Sequence, residues 1–132
     1  MTDDAPPTEP PSRLGRLLYS GILAYMAVDG FKNNEKRVDV ARSQGVPLPE
    51  LAVPLATGLL LVSNLGVLFW KFPRASLAGL VSFFLGTTPT IHSFWQMEGK
   101  ERQQNKINFL KNVALLGGAV ILLHEANDKA DE

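Results

Sequence analysis

The chain has no cysteine among its 132 residues. That single absence excludes disulfides, iron–sulfur clusters, thiolate nucleophiles and cysteine-ligated zinc. Charge of one sign is also missing, because thirteen basic residues balance thirteen acidic ones. Neither a nucleic-acid footprint nor a strongly acidic surface follows from that balance. Histidine is scarce, with His92 and His124 the two copies. No glycine-rich phosphate or dinucleotide loop is present, since Gly117-Gly118 lies in an apolar run with no strand before it. Ser93 adjoins His92, but neighbouring helical residues point apart, so they do not build a nucleophile–histidine–acid set.

What the chain does have is apolar length. Residues 51–70 form a run of twenty without a charge, and residues 75–97 form a second of twenty-three. About twenty apolar helical residues match the roughly 30 Å hydrocarbon core of a bilayer. Neither run carries the polar stripe that a soluble helix turns toward water. Two weaker segments flank them. Residues 14–31 have an uncharged centre at 17–28, with Arg16 expected to snorkel from one end. Residues 107–123 are apolar except for Asn108, Lys111 and Asn112 in the first turns.

These segments predict an all-α, four-helix transmembrane bundle with spans near 14–32, 51–70, 75–96 and 107–124. Such a chain is multi-pass in the cell membrane, with the lipid bilayer as its partner and both termini on one side. Residues 1–12, with four prolines and three acids, predict a disordered tail rather than a signal peptide. The membrane domain then covers 13–124, and 125–132 is a short acidic tail. Five basic residues on the terminal side face seven on the other, which does not decide orientation.

Local signals refine the picture. Pro54 falls in the first turns of span two, where a missing N–H matters least. Pro89 predicts a kink in span three, with threonine hydroxyls available for the freed backbone groups. In the loop at 32–50, residues 37–43 read as a short interfacial helix ended by Gln44-Gly45. Small residues recur four apart at Ala52/Ala56, Ala75/Gly79, Ser82/Gly86 and Ala114/Gly118, a spacing that permits close helix contacts. Asn64, deep in span two, reads as a helix–helix contact.

Topology places scattered polar residues on one membrane side: Tyr25, Asp29, Lys32, Glu50, His92, Gln96, Asn108, Lys111 and Asn112. Asp29 and Lys111 are expected to pair across spans one and four, because an isolated ion at intermediate depth is costly. The pair reads either as a structural bridge or as part of a polar vestibule for a ligand or proton. In the second case His92, Asn112, Asp29, Lys111 and Tyr25 are the contacts, with His92 the titratable member. A shared metal or haem is not expected. Asn108 and His124 are sixteen residues apart, about 24 Å of helix, which puts the two histidines at opposite faces.

In order, Arg16-Leu17-Leu18, Asp29-Gly30-Phe31, Gly45-Val46-Pro47-Leu48-Pro49-Glu50-Leu51-Ala52, Thr88-Pro89-Thr90-Ile91-His92-Ser93-Phe94-Trp95 and Asn108-Phe109-Leu110-Lys111-Asn112 carry a likeness. With these landmarks the chain resembles the DoxX family of small four-span membrane proteins, in detail the version found in halophilic archaea. The resemblance implies the four-span fold and an accessory subunit in quinone-linked redox metabolism, with a quinone as ligand. A small-solute carrier, or a structural partner of another membrane protein or of a second copy, are the alternatives. Many relatives carry His-Gly where this chain has Asp29-Gly30, and a carboxylate differs from an imidazole in charge and proton affinity. The resemblance therefore transfers the fold and leaves enzymatic activity open.

Overall fold

The computed structural model describes residues 11–130, which form helices and turns without a strand. The first rod joins α1 (Arg13–Arg16), a π-helical stretch (Leu17–Gly21) and α2 (Ile22–Lys32). The residues at both junctions hold right-handed helical dihedrals, so the rod is continuous. Then come α3 (Asn34–Ser43), α4 (Pro49–Leu68), α5 (Pro73–Ile91), a 3-10 turn (Phe94–Gln96) and α6 (Gly99–Ala130).

The helix ends follow from local chemistry. The Ser12 hydroxyl accepts from the Gly15 N–H at 3.1 Å, which caps the first rod. Helices α4 and α5 begin alike: Leu48 and Phe72 have φ of 48° and 49°, and each precedes a proline in the first turn. A proline needs no N–H there, and it turns the preceding residue away from the helical region, so neither helix extends backward. Helix α3 stops where Gly45 takes φ 81°. The Val46 N–H then reaches the Ala41 carbonyl at 3.0 Å and the Gly45 N–H that of Arg42 at 3.1 Å, a closure that favours glycine.

Helix α4 ends in the same closure with Trp70, φ 54°, in the glycine position. Lys71 N–H bonds to the Gly66 carbonyl at 2.8 Å and Trp70 N–H to that of Val67 at 3.1 Å. The Leu68 carbonyl has no donor in that pattern, and Arg16 supplies one at 2.5 Å. The same guanidinium lies 3.5 Å from the Val67 carbonyl, donates through Nε to Pro11 at 3.1 Å, and stands 5.9 Å from the Trp70 ring centroid. Arg16 is only 7% exposed. Arg16 thus turns inward instead of snorkelling, because the negative end of the α4 dipole and its unpaired carbonyls offer a better partner than water.

Side by side, α2 packs on α4, α4 on α5 and α5 on α6. The core gathers Leu23 and Ala27 from α2, Leu60 and Val67 from α4, Leu77, Leu80 and Phe84 from α5, and Ala119 and Ala126 from α6. Tyr19 ties the first rod to α6: its hydroxyl donates to the Leu115 carbonyl while its ring covers Gly118. A Cβ at Gly118 would lie 2.9 Å from the ring, and one at Gly79 would lie 2.5 Å from Ser63 Oγ. Both glycines therefore set close approaches, whereas Gly86 faces open space.

Several boundaries differ from those read in the sequence. Helix α5 ends at Ile91, two residues after Pro89, so this proline lies in the last turn of the helix and not midway along a span that reaches residue 96. Thr87 and Thr90 bond back to the carbonyls of Phe83 and Gly86, each at 2.8 Å. Helix α6 begins at Gly99 and continues through Ala130, beyond both expected limits, and is about 48 Å long. Among the described residues, two helices suffice by length and composition to cross a membrane: Pro49–Leu68 and the part of α6 over Gly99–Asn127. Helix α5, expected among the stronger spans, is diluted by Arg74 at its start and by Thr87-Thr88-Pro89-Thr90 at its end. Asn64 is fully buried, but its amide donates to Leu60 of its own helix at 2.7 Å, and Oδ1 has no partner. The proposed tail at 1–12 lies almost wholly outside the described residues.

Replacing Arg16 with Met should destabilise the detergent-solubilised protein by about 2–3 kcal/mol, the scale for losing charged donors to buried carbonyls. Thermal unfolding followed by aggregation measures this, and Arg16→Lys should recover part of the loss. A change within about 0.5 kcal/mol would mean that the cap carries no stability.

Candidate functional site

Between α2, α3, α4, α5 and the first half of α6 lies a cavity of about 800 Å³. Its walls are mostly apolar, with Leu23, Met26, Val53, Ala56, Leu60, Phe83 and Phe84 among them. Four parts of the chain bring polar groups. Helix α6 contributes Asn108 and Asn112, one turn apart on the same face. His92 comes from the residue that closes α5. The junction after α2 adds Asn33, and α3 adds Lys36 and Arg37.

Each polar group is held differently. His92 Nδ1 lies 2.8 Å from Asn105 Oδ1, and the Asn105 amide donates to the Glu101 carbonyl at 3.0 Å. Ser93 donates to Gln44 Oε1 at 3.2 Å, which ties the end of α5 to the turn after α3. Phe94, Trp95 and Phe109 stack edge to face beside this junction, with centroids 5.4–5.8 Å apart. The Arg37 guanidinium lies over Gly30, where a Cβ would sit 3.0 Å from its carbon. Thr57, Thr87 and Thr90 also line the cavity, but their hydroxyls are committed to carbonyls one turn back. No hydrogen bond to another residue engages the amides of Asn108 and Asn112.

The residues expected at the site divide cleanly. His92 and Asn112 line the cavity together, whereas Tyr25, Asp29 and Lys111 do not. Tyr25 is 71% exposed, on the far flank of α2 from the lining residues Leu23 and Met26. Asp29 is exposed and accepts from the Asn33 amide at 3.3 Å. The expected Asp29–Lys111 ion pair is not formed. With Asn108 and Asn112 turned to the cavity, Lys111 falls on the flank of α6 and is exposed. Among the described residues the ion pairs are instead those of Arg42, with Asp39 at 3.0 Å and with Glu50. Glu50, mainly by its hydrogen bond and then by its charge, raises Arg42 further above the usual guanidinium range. All three side chains are well exposed, so the cluster contributes little to stability.

Sequence reasoning missed Asn33, Lys36, Arg37 and Asn105. The first three sit in the connection and helix following α2, which read as an interfacial element rather than a wall. Asn105 precedes the expected start of span four by two residues. Its signal was a thirteen-residue separation from His92 that only the tight turn at 93–98 closes.

The chain is 28% identical over 111 residues to the inner membrane protein YphA of Escherichia coli (strain K12), covering 84% of this chain and 77% of that protein. No family model matches the chain, and no solved structure matches it. With the two membrane-length apolar helices, the likeness supports a small membrane protein.

Because Asp29 and Lys111 lie apart, Asp29→Asn and Lys111→Met should act independently. A double-mutant cycle of thermal stability should give a coupling below about 0.5 kcal/mol. Coupling well above that would restore the pair. Asn112→Leu should likewise leave the stability of the ligand-free protein within about 0.5 kcal/mol, because its amide serves no contact within the fold.

Proposed function

We propose that this chain is a four-span, DoxX-type protein of the cell membrane, with both termini on one side. Its cavity holds a quinone-class ligand, and it serves as an accessory subunit in quinone-linked redox metabolism. The observation that carries the ligand assignment is the make-up of the cavity: largely apolar walls, with His92, Asn108 and Asn112 contributed by the end of α5 and by α6, and Asn33, Lys36 and Arg37 contributed by the α2–α3 side. A ring bearing oxygens on an apolar tail matches that division. None of the lining residues belongs to 61–82, the α4–α5 hairpin side. A cavity closed toward that side favours a held ligand over a solute passing through.

Membrane placement is supported by what the helices turn outward. On α4, Leu51, Leu55, Leu59, Val62 and Leu65 are exposed, and on α6 so are Ile107, Leu110, Val113, Val120 and Ile121. Stripes of that extent are poorly solvated by water and well solvated by lipid chains. On the first rod Leu17, Leu18 and Ile22 are exposed as well.

Two measurements test these claims. Single cysteines at Ser43 and Gln103 should react with an impermeant maleimide from one side of oriented vesicles, and those at Lys71 and Asn127 from the other. Reaction of Ser43 and Lys71 from the same side contradicts four spans. A photoreactive quinol, the hydroxyl-bearing form of the class, should label the cavity, and His92→Ala should lower labelling about tenfold, the worth of one hydrogen bond. Equal labelling of wild type and variant, while free quinol competes, rejects His92 as a contact.

A further inference from the structure

We propose that Asn105 determines which hydrogen-bonding form of a ligand head the cavity accepts: it fixes His92 as an acceptor, so the cavity selects a head that donates an O–H. This deepens the quinone-class assignment above and rests on it. The Asn105 amide has two ends, and Glu101 distinguishes them. Its Nδ2 donates to the Glu101 carbonyl at 3.0 Å, which leaves Oδ1 as the atom 2.8 Å from His92 Nδ1. A reversed amide would set two oxygens against each other at Glu101. An acceptor at Oδ1 requires the proton on Nδ1. In the neutral imidazole, Nε2 then carries the lone pair.

His92 lines the cavity with Nδ1 already engaged, so Nε2 is the ring atom left for a ligand. A carbonyl oxygen cannot bond to that lone pair, whereas a phenolic or quinol-type hydroxyl can. The threonine hydroxyls on the wall do not supply a competing donor, because those of Thr57, Thr87 and Thr90 are spent on carbonyls of their own helices. Asn108 and Asn112 remain to meet a second ligand oxygen in either sense. Asn105 acts through His92 and is a positioning residue.

The imidazole proton can be read directly. Protein carrying 15N-labelled histidine, in detergent near pH 8.5 or about two units above the ordinary imidazole range, separates the two tautomers by their nitrogen shifts. Signals of His92 are those lost in His92→Gln. The wild type should show Nδ1 protonated and Nε2 bare, and Asn105→Leu should lose that preference. A second arm competes a long-chain 4-alkylphenol and its methyl ether against the photoreactive quinol. The phenol should bind about tenfold tighter than the ether in wild type, the scale of one hydrogen bond, with the difference gone in Asn105→Leu. A protonated Nε2 in the wild type overturns the proposal and leaves the cavity's occupancy untouched. So does equal binding of phenol and ether. Binding of neither, by contrast, overturns the quinone-class assignment and the O–H preference with it.

Discussion

The structure depends on a constraint that the Arg16 contact displays: backbone groups at a helix end must find partners inside the protein when no water is available. The α4–α5 turn closes with Trp70 in a left-handed conformation, and the Leu68 carbonyl left over takes a hydrogen bond from a guanidinium belonging to the first rod. One side chain thereby terminates α4, positions the first rod against it and rests beside the Trp70 ring. Tyr19, one turn further, ties the same rod to the middle of α6 by donating to the Leu115 carbonyl. These two polar contacts between side chain and backbone fix the first rod against α4 and α6.

At the opposite end the same need produces a cavity. Helix α5 stops after Pro89, and His92 and Ser93 turn its end toward α6 and α3. Because α3 lies across this end, Lys36 and Arg37 close a space that the four rods alone would leave open. The polar groups there fall into two kinds: those spent on the fold, such as the threonine hydroxyls, and those left over, such as the amides of Asn108 and Asn112. In the proposed function the leftover groups are the ones that meet the ligand. Likeness to an inner membrane protein bears on where the chain sits and leaves this chemistry to its own residues.

Helix positions were legible in the sequence because apolar runs and prolines encode them locally. Pro49 and Pro73 open α4 and α5, and Gly45 closes α3, each by backbone geometry that needs no tertiary partner. His92 and Asn112 were legible as neighbours because adjacent antiparallel ends bring the end of one helix to the start of the next. Rotation about each helix axis was not legible. Positions 108, 111 and 112 share a broad face, and only packing decided that the asparagines turn inward and Lys111 to the flank. Arg16 was misread for a related reason: whether a basic residue snorkels or caps depends on a carbonyl fifty-two residues away.

The central claim is that the outward apolar faces meet lipid while the groups between the rods do not. Nitroxide labels placed singly at Leu55, Leu59 and Val62 in reconstituted vesicles, with Asn64 as the inward control, test it through collision with oxygen and with a water-soluble nickel chelate. Lipid exposure gives high oxygen and low nickel accessibility at the three outward positions, and low values of both at Asn64. Nickel accessibility along the outward face of α4 equal to that of an exposed residue such as Ser43, at the end of α3, would contradict the account.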